Sequence, residues 1–256
     1  MSIQLKSKAE LDIMRRANMV VFEVLSELRQ MVVPGVTTKD LDARAKELTA
    51  KHGVKAAFLG YPSNTKGVSP FPGVICASRN DEIVHGIPGT EPLEEGDILS
   101  IDYGCMCEGF FGDSALTVPV GKITKAAEKL LQVTEQSLED AIVECKAGAR
   151  IGDVSYAVQS RVEQNGFSVV REFVGHGIGR EMHEPPHVPN FGRPAQGRPL
   201  RVGMVLAIEP MVTVGSFETK ILSDGWTAVT KDGSLAAHFE HSVAITENGP
   251  WVLSRP

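Results

Sequence analysis

Four acidic residues interrupt apolar, strand-like segments of this chain. Asp102 and Asp113 lie in IDYGCMCEGFFGDSALT, Glu209 lies in VLAIEPMV, and Glu240 precedes HSVAI. An ionised carboxylate that is buried without a partner costs several kcal/mol, so acids in such segments need a positive group nearby. A pair of divalent cations is an economical partner, because two ions ~3.5–4 Å apart can share carboxylates and activate water for hydrolysis. We therefore predict a dinuclear metal site.

Asp102 and Asp113 fall in the two arms of one predicted β-hairpin. If residues 101–106 and 109–117 pair without a bulge, the two aspartates lie directly opposite each other, with Cβ atoms ~5 Å apart. We expect this hairpin to present both carboxylates on one face of a sheet.

Histidines are the second group of candidate ligands. The tripeptide His-Gly-Ile occurs at 85–87 and 176–178, and the insertion HEPPHVPNFGRPAQGR begins with His183. Two alternatives are open: the acids can pair with Lys or Arg and the histidines with core acceptors, or His176, His183 and one acid can form an iron site. The iron site leaves three acids unexplained. The remaining histidines are predicted to be structural or surface residues: His52, His187, His238 and His241.

Four helices are predicted, in two similar pairs. A capping box at 7–10 opens a helix that ends near 34–35, and further helices are predicted at about 38–52, 124–145 and 148–165. Short apolar strands with Gly-rich reversals lie between and after these pairs. This pattern predicts an α+β fold in which an antiparallel sheet is backed by four helices.

The sequence contains an internal repeat. A shift of 113 positions aligns Gly35 with Gly148, and a shift of 107 places LEEGDILSID over LRVGMVLAIE, so that Asp102 falls on Glu209. Two copies are too few for a solenoid, so an internal duplication about a pseudo-twofold axis is favoured. We predict a single domain over 1–256, with halves at about 7–118 and 119–250.

Composition limits the classes of partner. The 256 residues are 42% hydrophobic and carry a formal net charge of −6, which argues against nucleic acid or an anionic membrane as a partner. No apolar run approaches the ~20 residues of a membrane span, and no signal peptide is recognisable. Four irregularly spaced cysteines favour a reducing compartment. We expect a cytoplasmic monomer.

The sequence resembles the type I methionine aminopeptidases of bacteria. The resemblance covers nearly the whole chain and is carried by NDEIVHGIPG, ILSIDYG, FFGDSA, FVGHGIGREMHEPP, LAIEPMV and DGWTAVTKDGSLAAHFEHSVAIT. It implies the pita-bread fold, which has two pseudo-symmetric halves. It also implies removal of the initiator methionine from peptides and nascent chains, with the ribosome as a candidate partner.

The resemblance implies a role for each matching residue. It implies two divalent ions of Co, Mn, Fe, Zn or Ni, bridged by Asp113 and Glu240, and it makes Glu209 also the group that moves a proton from water to the leaving amine. The repeated His-Gly-Ile tripeptide makes His85 a candidate ligand, but the resemblance implies that His85 lies near the substrate amide and does not bind metal. His183 contacts the scissile carbonyl. The implied ligands are Asp102, Asp113, His176, Glu209 and Glu240.

The methionine pocket implied by the resemblance is lined by Phe71, Cys76, Met182 and Trp226, with His85 at its rim. The segment 61–73 is longer than in the short bacterial enzymes, and Met182 stands where an aromatic residue is common. Ala236 occupies a position whose carbonyl is associated with a monovalent cation, so such a site is expected.

Two alternative functions exist within the same fold. A proline-specific peptidase usually carries an additional N-terminal domain, whereas this chain begins almost at once with its first helix. A non-catalytic binding protein of this fold would have lost metal ligands, but all five ligand positions here hold competent residues. We therefore expect a methionine-releasing enzyme.

Overall fold

The computed structural model describes residues 3–63 and 65–256. Within these ranges the chain forms the four predicted helices. The first begins with a complete capping box, in which the Glu10 N–H donates to Ser7 Oγ and the Ser7 N–H donates to the Glu10 carboxylate. The helices are α1 (Lys8–Met31), α2 (Thr38–Lys51), α3 (Lys125–Val143) and α4 (Ile151–Gln164).

The described residues also form fifteen strands, and every pairing between them is antiparallel. The predicted fold class, α+β with an antiparallel sheet backed by four helices, is therefore confirmed. The strands are β1 (Lys55–Ala56), β2 (Cys76–Arg79), β3 (Glu82–Val84), β4 (Ile98–Cys107), β5 (Phe110–Pro119), β6 (Ser168–Val169), β7 (Gly175–Gly177), β8 (Glu184–Val188), β9 (Val205–Ile208), β10 (Met211–Thr213), β11 (Thr219–Ile221), β12 (Ala228–Thr230), β13 (Ala236–His238), β14 (Glu240–Thr246) and β15 (Gly249–Val252).

One large sheet dominates the described part of the chain. It has nine strands, with the central order β1-β4-β5-β14-β9-β7-β8, while β2 pairs with β4 and β15 with β14. Two three-stranded sheets, β13-β10-β6 and β11-β12-β3, flank it. Strands from the first and second halves of the sequence therefore lie side by side at the centre, where β5 pairs with β14.

The helices cover one face of the large sheet. On β4, Leu99, Ile101 and Tyr103 are fully buried in a cluster with residues of α1 and α2. On β9, Leu206 and Ile208 lie in a second cluster with residues of α3 and α4. Because side chains alternate along a strand, Asp102 and Glu209 lie on the opposite, uncovered face.

The hairpin of β4 and β5 has a different register from the predicted one. Gly104, not Asp102, pairs with Asp113, and Asp102 pairs with Ala115. The strands extend to a two-residue loop at 108–109, where both residues have positive φ (49° and 83°), as tight hairpin turns require. The prediction that the aspartates lie directly opposite is wrong by two positions, but an even shift keeps both on one face.

The aligned glycines occupy equivalent backbone positions. Gly35 and Gly148 have φ of 93° and 91°, and their N–H groups donate to the carbonyls of Leu93 and Leu200 at 2.8 and 3.0 Å. Only glycine adopts such φ values without strain. These features are consistent with the duplication, whose boundaries at 7–118 and 119–250 stay a prediction.

None of the described helices is both long enough and apolar enough to cross a membrane.

Candidate metal centre and substrate pocket

The uncovered face of the sheet forms the floor of a cavity of about 600 Å³. Every site residue predicted from the sequence lines this cavity. These residues are Phe71, Cys76, His85, Asp102, Asp113, His176, Met182, His183, Glu209, Trp226 and Glu240.

The five predicted ligands come from five neighbouring strands. Asp102 lies on β4, Asp113 on β5, Glu240 on β14 and His176 on β7, and Glu209 directly follows β9. These strands are adjacent in the order β4-β5-β14-β9-β7. The sheet therefore brings together residues that are more than 130 positions apart in the sequence.

Three of these side chains form a compact group of possible ligands. Atoms of Asp113, His176 and Glu240 all lie within 4.8 Å of one another, and all three residues are buried. Glu209 approaches the same group, with Oε1 3.5 Å from Nε2 of His176. Asp102 interacts with Asp113 through its carboxyl group. The arrangement offers several carboxylate oxygens and one imidazole, a donor set that suits divalent transition metals.

Among the residues that the structure describes, no Lys or Arg is paired with the four acids. In the described ranges, the ion-pair contacts of Glu209 and Glu240 are with histidines only, and Asp102 and Asp113 have none. The oxygens Asp102 Oδ1, Asp113 Oδ1 and Glu240 Oε1 are buried without a hydrogen-bond partner. Such orphaned oxygens are costly unless a cation binds them. The residues present therefore fit a metal centre, and pairing with Lys or Arg does not explain them.

The pKa values of the four acids reflect the same lack of a cation. Burial raises the pKa of Asp102 to about 7. Burial, together with the neighbouring carboxylates, raises the pKa values of Asp113, Glu209 and Glu240 well above their ordinary range. A bound cation stabilises the ionised forms and reverses these shifts.

His176 is held in the form that binds metal. Its Nδ1 lies 2.9 Å from the carbonyl oxygen of Gly177, so Nδ1 carries the proton and Nε2 is free to bind. Burial lowers the pKa of His176 to about 3, which keeps the ring neutral. A neutral imidazole with an anchored N–H is the usual arrangement for a metal-binding histidine.

His183 and His85 lie above the floor of the cavity. The His183 ring centroid is 4.3 Å from that of His176, and His183 Nδ1 is 2.7 Å from the hydroxyl of Tyr61. His85 packs edge to face on Phe173 at 5.5 Å, and burial lowers its pKa to about 4. Neither histidine belongs to the compact ligand group. The alternative iron site that uses both His176 and His183 as ligands is therefore not favoured.

The predicted methionine pocket is an apolar wall beside the acids. Phe71, Cys76 and Met182 are buried in one cluster with Trp226 packed against it. The Phe71 and Trp226 rings contact each other edge to face at 5.3 Å, and the Trp226 Nε1–H donates to the Ser69 carbonyl. Cys76 is the β-sheet partner of Asp102, so the pocket adjoins the metal centre directly.

Sequence reasoning missed several residues around the site. His238 was assigned no part in the site, yet its Nε2 lies 3.8 Å from Glu209 Oε2 and 4.0 Å from Glu240 Oε2. Its position two residues before Glu240 is the signal that could have placed it on the same face. Tyr61 and Phe58 line the cavity from an irregular segment that shows no periodicity.

The other histidines differ in position. His187 is exposed and lines the mouth of the cavity, whereas His241 lies on the helix-covered face with Nδ1 2.8 Å from Ser254 Oγ. His52 follows α2, with Nε2 3.5 Å from Glu23. Ala236 is buried in β13, and its expected monovalent-cation site stays a prediction.

Comparison with known proteins identifies the family. Residues 12–247 match the model of metallopeptidase family M24. The chain is 50% identical over 252 residues to a methionine aminopeptidase of Clostridium perfringens and 49% identical over 250 residues to methionine aminopeptidase 1 of Bacillus subtilis, with 98% of each chain covered. The crystal structure of a methionine aminopeptidase from Thermotoga maritima superposes over 100% of both chains, with a TM-score of 0.95 and 44% identity. The chain therefore belongs to metallopeptidase family M24 and has its pita-bread fold.

Proposed function

We propose that this protein removes the N-terminal methionine from peptides and newly made proteins by metal-dependent hydrolysis of the first peptide bond. The observation that carries the proposal is the cavity itself, in which five potential metal ligands lie beside an apolar pocket. The relatives named methionine aminopeptidase, at 50% and 49% identity over nearly the full chain, support the same activity.

Two divalent ions of Co, Mn, Fe, Zn or Ni are the proposed cofactors. Asp102, Asp113, His176, Glu209 and Glu240 would hold them, with Asp113 and Glu240 contributing to both ions. When bound, such ions supply Lewis acidity and lower the pKa of water. The orphaned oxygens of Asp102, Asp113 and Glu240 support this assignment. The Ala236 carbonyl is the proposed ligand of an additional monovalent cation.

Glu209 is the proposed proton carrier. It accepts a proton from the attacking water and returns it to the leaving amine. Its side chain is 13% exposed, so it reaches both the buried acids and the open cavity.

His183 is the proposed donor to the scissile carbonyl. If the Tyr61 hydroxyl donates to Nδ1, the single ring proton of neutral His183 lies on Nε2. An Nε2–H aimed at the developing oxyanion stabilises it electrostatically. His85, at the opposite rim, is the proposed contact of the substrate amide.

The apolar pocket is proposed to select methionine. An unbranched thioether fits a site lined by aromatic rings and the soft, adaptable side chains Cys76 and Met182. Phe71 and Trp226 form the remaining walls. We further propose that small residues are preferred after methionine, as the resemblance implies.

We also propose that the enzyme is a cytoplasmic monomer that meets nascent chains near the ribosome. The four cysteines, which are all free, are consistent with a reducing compartment. Sedimentation of the purified protein and co-sedimentation with ribosomes test these two points separately.

The activity is tested by methionine release from Met-Ala-Ser after metal stripping and again after titration with Mn or Co. We expect activity to return with metal in the wild type and to stay absent in Glu209→Gln. A wild type that binds metal but cleaves Ala-Pro substrates in place of Met-Ala-Ser would favour the proline-specific alternative. Absence of both metal binding and cleavage would favour the binding-protein alternative.

A further inference from the structure

The N-terminal segment crosses to the second half of the protein and ends in a buried ion pair. The Lys6 N–H donates to the Gly203 carbonyl at 2.7 Å. The Lys6 ammonium then lies 2.5 Å from Glu184 Oε2, with side-chain exposures of only 5% and 8%. A buried charge pair of this kind depends on both partners, because removal of one leaves the other charge unpaired.

The second carboxylate oxygen of Glu184 holds a turn of the active site. Its Oε1 accepts the N–H groups of Arg180 at 2.7 Å and Glu181 at 3.3 Å. These bonds close the turn 179–184, which carries Met182 and His183 into the cavity.

The space between this turn and the ion pair is filled completely. A Cβ atom at Gly179 would lie 2.4 Å from Lys6 Cε and 2.5 Å from Glu184 Oε1, closer than any real contact. The Gly179 carbonyl also accepts the Phe111 N–H at 2.8 Å, two residues before Asp113. The ion pair therefore touches the backbone that supports both His183 and one predicted metal ligand.

We infer that Lys6 and Glu184 are positioning residues, which fix the turn 179–184 so that His183 keeps its place over the substrate carbonyl. The inference rests on the proposed function. Glu184 follows His183 directly, and its carboxylate is held by Lys6 and by the N–H groups of Arg180 and Glu181, so this anchorage fixes the backbone position from which the His183 side chain extends. When the lysine is lost, the buried carboxylate moves toward water and the turn loses its acceptor.

The test is a set of variants of the full, metal-loaded chain: Lys6→Met, Glu184→Gln, His183→Ala and Lys6→Met combined with His183→Ala. We expect Lys6→Met to lower kcat about tenfold and to leave KM within about twofold of the wild-type value. Losses of about this size follow when a residue that supports an active-site side chain is removed. In the His183→Ala background the same change should lower kcat less than about twofold, because its effect passes through His183. Equal losses in both backgrounds would overturn the inference.

A stability control separates positioning from general weakening. Val133→Ala, in the buried face of α3, should lower the thermal midpoint but leave kcat unchanged. Glu184→Gln retains the shape of the side chain without its charge and should reproduce the kcat loss of Lys6→Met. If Val133→Ala lowers kcat as much as Lys6→Met does for the same drop in thermal midpoint, the loss reflects general weakening, and a positioning role is contradicted.

Amide hydrogen exchange keeps the inference separate from the proposed function. The amides of Arg180 and Glu181 should exchange at least about tenfold faster in Lys6→Met than in the wild type, whereas amides of α3 should not change. Unchanged exchange at Arg180 and Glu181 would overturn the inference. If exchange is faster in Lys6→Met but the metal-loaded wild type releases no methionine, the inference holds and the proposed function is contradicted.

Discussion

The hydroxyl of Tyr61 lies 2.7 Å from Nδ1 of His183, and when it donates to Nδ1 the ring proton of neutral His183 lies on Nε2. Partial burial and the nearby His187 lower the pKa of His183, which favours the neutral ring. A neutral ring with Nε2–H directed into the cavity can donate one hydrogen bond to a substrate carbonyl. At the scale of single residues, the chemistry of His183 therefore depends on Tyr61.

Tyr61→Phe tests this dependence. Loss of the hydroxyl removes one hydrogen bond, and the His183 ring proton is then no longer restricted to Nε2. We expect transition-state stabilisation to weaken by about 0.5–1.5 kcal/mol, which lowers kcat/KM for Met-Ala-Ser roughly two- to tenfold. Steady-state kinetics measure the effect. Tyr156→Phe, at an exposed tyrosine of α4, is the matched control and should leave kcat/KM unchanged. A Tyr61→Phe enzyme with wild-type kcat/KM would contradict the role assigned to the hydroxyl.

The sequence was sufficient to predict that the four acids belong to the site, but it did not predict all of the side chains around them. Asp102, Asp113, Glu209 and Glu240 are conspicuous because charged residues rarely occur in apolar strands. His238 lies two residues before Glu240, a spacing that suggests the same face of one strand, but β13 and β14 belong to different sheets, so this spacing alone does not establish the contact.

At the scale of elements, Asp97 joins the beginning of β4 to the turn between β2 and β3. Its carboxylate accepts the Asn80 side-chain amide at 2.8 Å and the Glu94 N–H at 2.7 Å, and it pairs with Arg79 at 2.7 Å. Burial alone would raise the pKa of Asp97, but these hydrogen bonds outweigh it and hold the pKa below its ordinary value. The strand that carries Asp102 is thereby fixed at its first residue.

Asp97→Asn should therefore destabilise the protein in a pH-dependent way. The folded pKa is depressed, so the stabilisation is complete above the unfolded pKa of about 4 and is lost as the pH falls through the folded pKa. We expect a cost of about 1.5–3 kcal/mol at pH 7 that shrinks below pH 4. Denaturant unfolding at pH 7, 5 and 3.5 measures it.

The matched control for Asp97→Asn is Glu94→Gln. Glu94 is 77% exposed and 3.9 Å from the same Arg79, so its loss should cost less than about 0.5 kcal/mol. If Asp97→Asn costs as little as Glu94→Gln at pH 7, Asp97 does not anchor β4.

Helix ends were more predictable than strand register. The capping boxes at Ser7 and Thr37 define helix starts by local hydrogen bonds, and Gly53 and Gly166, at positive φ, follow the C-caps of α2 and α4. The first helix ends at Met31, three residues before the predicted end near 34–35. The register of β4 and β5 depends on the length of the loop at 108–109. A register shift of two positions leaves every side chain on the same face of the sheet. The alternation of apolar and polar residues therefore could not distinguish the two registers.

At the scale of the whole molecule, the site exists only because β14 lies between β5 and β9. This arrangement joins strands that are far apart in the sequence, and no local pattern specifies it. The internal similarity that aligns Asp102 with Glu209 gave a hint, since related halves present their strands to a common centre. The resemblance to a known family supplied the rest.

The metal-free protein should be less stable at pH 8 than at pH 6.5. The pKa of Asp102 is raised to about 7, and the unfolded acid is ionised throughout this range, so the folded state gains a proton and stability as the pH falls. Asp102 alone contributes about 1 kcal/mol to this difference. Buried histidines such as His176 and His238, whose pKa values are lowered to about 3, oppose part of this gain as the pH approaches the unfolded pKa of about 6.5, and oppose it more strongly below that pH.

Bound metal should remove this pH dependence, because it holds the carboxylates ionised. Thermal unfolding of the stripped and the Mn-loaded protein at pH 6.5, 7.2 and 8 measures both trends. A stripped protein that is equally stable at pH 6.5 and 8 would contradict the account of the unpaired acids.

The most direct measurement of the central claim is the number of metal ions bound per chain, determined by elemental analysis after dialysis against Mn. We expect about two ions for the wild type and clearly fewer for Asp113→Asn, because that carboxylate is proposed to contact both ions. Asp97→Asn, which changes a buried acid outside the cavity, should still bind about two. Absence of bound metal in the wild type, or an unchanged number in Asp113→Asn, would contradict the claim that these five strands form a dinuclear metal centre.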